Sequence, residues 1–366
     1  MANANDSSLQ IKPGCVTPAP PASSRRTPKR ERDISPAQYV ERILSGDRSL
    51  LARAITLIES SRASDRLIAE EIIEKCYPPS GNSIRIGVTG IPGAGKSSVI
   101  EALGKHLIAE LGEKLAVLTI DPSSQLSGGS ILGDKTRMAF LASSEVAFVR
   151  PSPSRGIHGG VAQNTRDAIL LCEVAGYRNI LVETVGVGQS EAAVAEMVDF
   201  FLLVTLAGAG DELQGIKRGV MELANVVVVN KADGANIVAA EKARTEAANA
   251  LHLLPTAPSG WTPRAMTCSA HTGKGIAELW SCILEYVAIT RANGWFERTR
   301  REQIRRSMHE NIERGLLHLF QSDPLVQQRE AVLEHKVVTG QITPLRATRE
   351  LLELFASRQA NKSSTT

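Results

Sequence analysis

Residues Gly90-Ile91-Pro92-Gly93-Ala94-Gly95-Lys96-Ser97 read G-x-x-x-x-G-K-S, between an apolar run at Ile84–Thr89 and a helical pattern from 96 to 111. This motif in this context demands a strand, a tight glycine loop and a helix N-terminus in immediate succession, which commits the chain to an α/β sheet with crossover helices. The glycines let backbone N–H groups curl around phosphate oxygens, and the helix N-terminus adds partial positive charge. Gly90, Ile91, Pro92, Gly93, Ala94, Gly95, Lys96, Ser97 and the following Ser98 are therefore the candidate phosphate cradle. In it Lys96 reaches the β- and γ-phosphates and Ser97 ligates Mg²⁺.

The surrounding pattern agrees. Strand-like runs recur at Leu115–Ile120, Val146–Val149, Ile180–Val182, Phe200–Leu206, Val226–Val229 and Arg264–Cys268, with helical patterns at 160–175, 212–224, 235–251 and 276–290. Continuous apolar strands separated by helices predict a doubly wound, mostly parallel sheet covered on both faces. Before it, Ser35-Pro36 opens a helical stretch that Gly46-Asp47 divides, and another helix runs from near Ser64 to Pro78-Pro79. The expected organisation is a Pro- and Ser-rich tail over 1–34, a helical extension over 35–80, a nucleotide domain over 81–292, a helical region over 293–359 and a frayed end over 360–366. In the helical region Ile304, Met308, Ile312, Leu316 and Leu319 form an apolar stripe. Pattern alone leaves two readings of it, a cap packed on the core or a dimerisation arm.

The base is chosen by a second motif. Val226–Val229 runs into Asn230-Lys231-Ala232-Asp233, N-K-x-D at the C-terminal end of a strand, where open α/β sheets bind ligands. Asp233 can accept from guanine N1–H and the exocyclic amine, whereas adenine offers an acceptor at N1. Asn230 is expected at the other edge of the base, with the Lys231 stem along the ring. Cys268-Ser269-Ala270 follows another strand, and the Ser269 and Ala270 amides are expected to donate to O6. The expected ligand is GTP rather than ATP.

A third run, Ile180-Leu181-Val182-Glu183-Thr184-Val185-Gly186, ends a strand in an acid and places a glycine three residues on. Glu183 stands where GTPases commonly carry Asp and is expected to hold Mg²⁺ through a water. Gly186 is placed to donate its N–H to the γ-phosphate. Val187 occupies the place of a water-positioning Gln, with Gln189 two residues later, so slow intrinsic hydrolysis is expected. Asp121, at a strand end, and Asp134, after a glycine-rich run, are candidate Mg²⁺ ligands, although Asp134 also suits a turn cap. His158, before a helix, reads better as a structural loop histidine than as a catalytic one. The segment Leu206–Gly210 leaves its strand through small residues and meets Asp211, Glu212, Gln214 and Lys217, a composition suited either to a switch or to an ordinary helix start.

The net charge of +3 is too small to argue for nucleic acid, and no apolar run is long enough to span a membrane. The five cysteines have no metal-ligand spacing and fit reduced thiols in the cytosol.

These motifs together resemble the MeaB/ArgK/MMAA family. The resemblance is carried by Gly90–Ser97, Asp121–Ser124, Ser127–Met138, the run E-T-V-G-V-G-Q-S-E at Glu183–Glu191 and A-G-D-E-L-Q-G-I-K at 209–217, within a similarity spanning 38 to 357. It implies a GTP-hydrolysing metallochaperone of the SIMIBI class. Such proteins gate adenosylcobalamin loading of a cobalamin-dependent acyl-CoA mutase and its protection and reactivation, with an adenosyltransferase as a further partner. It implies Lys96, Glu183 and Gly186 in catalysis, Ser97, Asp121, Asp134 and Glu183 around Mg²⁺, and Gln189, Asp211, Glu212, Gln214 and Lys217 in coupling to the partner. It also implies a homodimer joined through the C-terminal helices. The expected setting is the cytoplasm, with the mitochondrion as the alternative in a eukaryote. The rival readings are a small-molecule kinase linked to amino-acid transport, a nickel-type metallochaperone, which wants a His- or Cys-rich site, and a nucleotide-gated scaffold.

Overall fold

The computed structural model describes residues 34–60, 62–77, 81, 83–121, 138–153, 158–184, 190–208, 218–255 and 257–363. Seven strands form one sheet: β1 (Ile84–Gly90), β2 (Leu115–Asp121), β3 (Ala147–Pro153), β4 (Asn179–Thr184), β5 (Phe200–Leu206), β6 (Val226–Asn230) and β7 (Arg264–Thr267). Their order across the sheet is β3-β2-β4-β1-β5-β6-β7, and every adjacent pair is parallel. The expected doubly wound sheet is thus present, without an antiparallel member.

The central strands read as unbroken apolar runs because helices cover both faces. On one face Ile86, Val88, Val117, Leu181 and Leu202 pack with Val99, Ile100 and Leu103 of α4 (Lys96–Lys105). On the other, Leu203 and Val227 meet Ala247 and Leu251 of the helix Ile237–His252. The chain winds from β1 towards β2 on one side and returns through β4 to β5 on the other. The crevice at the C-terminal end of β1 is therefore the topological switch point, where such sheets hold their ligands.

Three helices precede the sheet: α1 (Pro36–Leu44), α2 (Arg48–Ile58) and α3 (Ala63–Cys76). Asp47 separates the first two as an N-cap, its Oδ1 accepting from the N–H groups of Ser49 and Leu50 at 2.9 and 3.0 Å. The remaining crossovers are α5 (Ala139–Ser143), α6 (His158–Val174), α7 (Ser190–Ala195), α8 (Arg218–Leu223) and α9 (Ile237–His252). Four helices follow the last strand: α10 (Ile276–Ala292), α11 (Trp295–Gln321), α12 (Pro324–Val338) and α13 (Pro344–Ser363). Residues 360–363, expected to be frayed, are helical.

The long helix α11 has two characters. Phe296 is buried in the main core. The Arg300 guanidinium bonds both carboxylate oxygens of Asp199, at 2.8 and 2.7 Å, and the carbonyls of Gly81 and Ser83. Gln303 donates to Val198 O, Ser307 to Gln163 and Arg166 of α6 pairs with Glu310. Along the same helix Ile304, Met308, Ile312, Leu316 and Leu319 are each at least 50% exposed. The stripe is therefore not the surface that caps the core. A different, polar face of α11 makes that contact. Beyond it α12 and α13 clasp each other through Arg358–Asp323, Arg329–Glu350 and the buried Val326 and Leu333.

Candidate nucleotide site

At the end of β1 the backbone turns so tightly that Gly90 has φ +151°, and a Cβ there would lie 1.9 Å from the carbonyl oxygen of Val204 on β5. No side chain fits. Gly95 caps α4 in the left-handed region at φ +84°, with the Asn230 carboxamide 2.7 Å from where a Cβ would sit. Both glycines of the G-x-x-x-x-G spacing are thus imposed by neighbouring strands as well as by the loop's own curvature.

Lys96 lies back over this loop, its Nζ donating to Gly90 O at 2.9 Å and Ile91 O at 3.3 Å. It is only 9% exposed, and its ammonium stands at the mouth of the loop that the N-terminus of α4 completes. The arrangement gathers one full positive charge and a helix dipole at one point, which is what a polyphosphate requires.

The next residue, Ser97, donates to Glu183 Oε1 at 2.8 Å, and both side chains are under 10% exposed. Glu183 comes from β4, which lies beside β1 with Glu183 opposite Val88. The extra methylene of Glu over Asp lets the carboxylate touch the serine hydroxyl directly. A charged oxygen and a hydroxyl oxygen, buried together at a helix N-terminus, are the hard-donor chemistry that Mg²⁺ takes. The donor set fits the ion, and the charge it would supply is neutralisation of the β- and γ-oxygens. No group of three His, Cys, Asp or Glu side chains with metal-binding geometry occurs among the described residues. Asp121 closes β2 as backbone, while its side chain lies outside the described residues, as do Asp134, Gly186, Gln189, Asp211, Glu212, Gln214 and Lys217. His158 is the first residue of α6.

Below Glu183 a further contact joins the two motif strands. Thr184 Oγ1 donates to Thr89 Oγ1 at 2.8 Å, with both residues almost fully buried. Each threonine stands next to a motif residue, but nothing in the sequence pairs them.

The base side is built from the ends of β6 and β7. Lys231 has φ +60°, in the left-handed region where a non-glycine residue is strained. Ala232 N–H to Cys268 O at 2.9 Å and Asn236 to Lys231 O at 2.7 Å hold that turn. Asp233 accepts from the Ser269 hydroxyl, which fixes the carboxylate while leaving its remaining lone pairs for a ligand. Asn230 is 1% exposed, and its carboxamide is engaged at both ends. It donates to Ala94 O at 2.9 Å and accepts from Ala270 N–H at 3.1 Å and Cys268 Sγ at 3.6 Å. Burial pushes the Cys268 thiol up to about 12, so it stays protonated as a donor.

Residues expected at the base also carry protein contacts here. Asn230, expected to contact the base, ties the phosphate loop to the loop after β7 through its carboxamide. Ser269 and Ala270 are expected from the motif to turn their amides towards O6. In this structure Ser269 N–H donates to Lys274 O at 2.9 Å and Ala270 N–H to Asn230. The physical reason is common to both: buried amides are satisfied by the nearest protein acceptor. What Ser269 contributes in the structure is its side chain, which holds Asp233.

Similarity to known proteins agrees with this geometry. Residues 51–324 match the family described as methylmalonyl-CoA mutase-associated GTPase MeaB. A probable GTPase of Mycobacterium tuberculosis is 48% identical over 312 residues, 85% of this chain and 93% of the relative. The mitochondrial methylmalonic aciduria type A homolog of Mus musculus is 42% identical over 335 residues, 88% of this chain and 80% of the relative. Among solved structures, one described as a LAO/AO transport system kinase superposes with a TM-score of 0.68 at 36% identity, covering 88% of this chain and 97% of that one. With the phosphate loop, the guanine motif and three quarters of the chain in agreement, this protein belongs to the MeaB family of methylmalonyl-CoA mutase-associated GTPases.

Proposed function

We propose that this GTPase, acting with Mg²⁺, attends a cobalamin-dependent acyl-CoA mutase. GTP turnover gates adenosylcobalamin loading of that mutase, its protection and its reactivation, with an adenosyltransferase as the source of cofactor. The observation that carries the reading is the match to a mutase-associated family over residues 51–324, which includes the whole nucleotide domain. In this reading the phosphate cradle is Gly90–Ser98. The guanine contacts come from Asp233, from the Lys231 stem and from the loop at Ser269 and Ala270. The metal neighbourhood is Ser97, Asp121, Asp134 and Glu183, and Gly186 donates to the γ-phosphate. Residues 35–80 form an extension, 81–292 the GTPase domain and 293–359 a dimerisation region. The exposed stripe on α11 supports a homodimer, because an apolar face of that length needs a partner.

None of the described helices is long and apolar enough to cross a membrane. The cytoplasm is the proposed setting, with the mitochondrion as the alternative suggested by the mouse relative. The test is a GTPase assay with and without the cognate mutase. The expected result is a rise in kcat on adding mutase, because Val187 leaves a partner to complete the site. Lys217→Ala should reduce that rise while sparing the basal rate. A mutase that leaves both the rate and its own cobalamin loading unaffected by GTP overturns the reading.

The likeness to a structure described as a transport system kinase favours a second reading, transfer of phosphate to a small acceptor. γ-Labelled GTP separates the two. Label released as inorganic phosphate supports hydrolysis, and label found on an amino acid or amine supports the kinase.

A further inference from the structure

Thr119 stands on β2, which flanks β4 on the side away from β1. Its Cα partner on β4 is Glu183, and the partner of Glu183 on β1 is Val88. Residues in register on parallel strands project from the same face, so Thr119, Glu183 and Val88 form one row. That face is the one packed by α4, since Val88 and Val117 contact its buried residues and Ser97, in its first turn, reaches Glu183. Thr119 is 3% exposed, and its hydroxyl oxygen is buried with no hydrogen-bond partner among the described residues.

A buried hydroxyl without a partner is costly, and valine would fill the same space without that cost. The position therefore calls for something the hydroxyl meets besides protein. A second buried threonine, Thr205, also has an unpartnered hydroxyl. It is in register with Val229, which packs with α9 on the opposite side of the sheet, far from the Ser97–Glu183 pair. Thr119 is the one that shares the face of the metal donors.

We propose that Thr119 is a positioning residue of the metal shell: its hydroxyl holds a water of the Mg²⁺ hydration sphere beside Ser97 and Glu183. Mg²⁺ gives up its waters reluctantly and is held as much through them as through direct ligands. A hydroxyl, which both donates and accepts, suits such a water. The proposal rests on the Mg²⁺-dependent GTPase reading above.

The experiment measures release of a fluorescent GDP from the full chain across a series of free Mg²⁺ concentrations, and again in EDTA. Wild type, Thr119→Val and Thr119→Ser are compared, with thermal unfolding of each nucleotide-free protein alongside. The expected result is that Thr119→Val needs about tenfold more free Mg²⁺ to slow release, equivalent to about 1.4 kcal/mol. Its release in EDTA should equal wild type, its unfolding temperature should not fall, and Thr119→Ser should restore the wild-type Mg²⁺ dependence. An unchanged Mg²⁺ dependence in Thr119→Val overturns the proposal, and so does equal weakening with and without metal. If wild type itself shows no Mg²⁺ dependence, the metal reading of the Ser97–Glu183 pair fails instead. Should the valine variant not fold, Thr119→Ala and Thr119→Ser provide the same comparison.

Discussion

Asn230, at the end of β6, donates from its carboxamide to the main-chain oxygen of Ala94 inside the phosphate loop, at 2.9 Å. One residue thus joins the candidate phosphate loop to the loop after β7, because its oxygen simultaneously accepts from Ala270 N–H. Replacing it with alanine leaves a buried carbonyl and a buried amide unpaired. Each such group costs about 1–3 kcal/mol, so Asn230→Ala should weaken GDP and GTP together by roughly ten- to hundredfold. Calorimetry with both nucleotides checks this. Loss of guanine preference with phosphate affinity intact would mean that the residue serves the base alone.

Lys96→Ala removes the ammonium that stands over Gly90 and Ile91. A charge-assisted contact to phosphate disappears from a loop built around it. GTP binding should fall by at least about a hundredfold. A wild-type dissociation constant in titration would place the phosphates elsewhere.

Asp233→Asn exchanges an acceptor for a donor against the guanine amine and suits the carbonyl that xanthine carries there. GTP affinity should fall by roughly ten- to hundredfold and XTP should become the better ligand. Ser269→Ala, which frees the carboxylate and the Thr272 N–H that the hydroxyl accepts from at 3.1 Å, should produce a smaller loss without the XTP preference. Competition between the two nucleotides for each variant separates these outcomes.

Both motifs could be read from the sequence because each is local: eight consecutive residues for phosphate, four for the base. The central strands could be read because burial on both faces makes them almost continuously apolar, as in Val226–Val229, whereas the edge strands β3 and β7 carry polar residues and showed only through short apolar stretches. The Asn230–Ala94 tie, the Thr184–Thr89 bond and the Arg300–Asp199 pair could not, since each joins residues far apart in sequence that only the strand order brings together. The polar face of α11 was hidden for a related reason. Arg300, Gln303 and Ser307 look like a solvated helix face until α6 and β5 are known to lie beneath them.

Arg300 covers Asp199, whose side chain is 2% exposed. Arg300→Ala strands a buried carboxylate, a loss of about 3–5 kcal/mol, and should lower the urea midpoint accordingly. A cut before α11 would strand the same carboxylate and take Phe296 out of the main core, so removing residues 293–366 should also destabilise the GTPase domain.

Asp167, on the face of α6 that meets α11, is pushed up to about 6 by burial, against the opposing pull of Gln163, Arg314 and Arg166. A carboxyl whose folded value lies above its unfolded 3.8 favours the fold below that value and loses the contribution as pH rises through about 6. Asp167→Asn should therefore be more stable than wild type at pH 8, by on the order of 1 kcal/mol, and the advantage should vanish by about pH 4. Thermal unfolding at both pH values tests the sign. A constant difference would assign the effect to packing.

On the apolar stripe of α11, Ile312 and Leu316 are 50% and 57% exposed and lie one turn apart, beyond the part of the helix that Arg300 and Gln303 bind to the core. Charging both should leave the core untouched, because neither side chain is buried, while a self-associating face would have to bury two carboxylates. Ile312→Glu with Leu316→Glu should therefore give a monomer by light scattering where the wild type is a dimer. GDP affinity and unfolding of the GTPase domain should stay near wild type. A double variant that remains dimeric would move the interface to another surface. A monomer that has also lost nucleotide would mean that dimerisation completes the site.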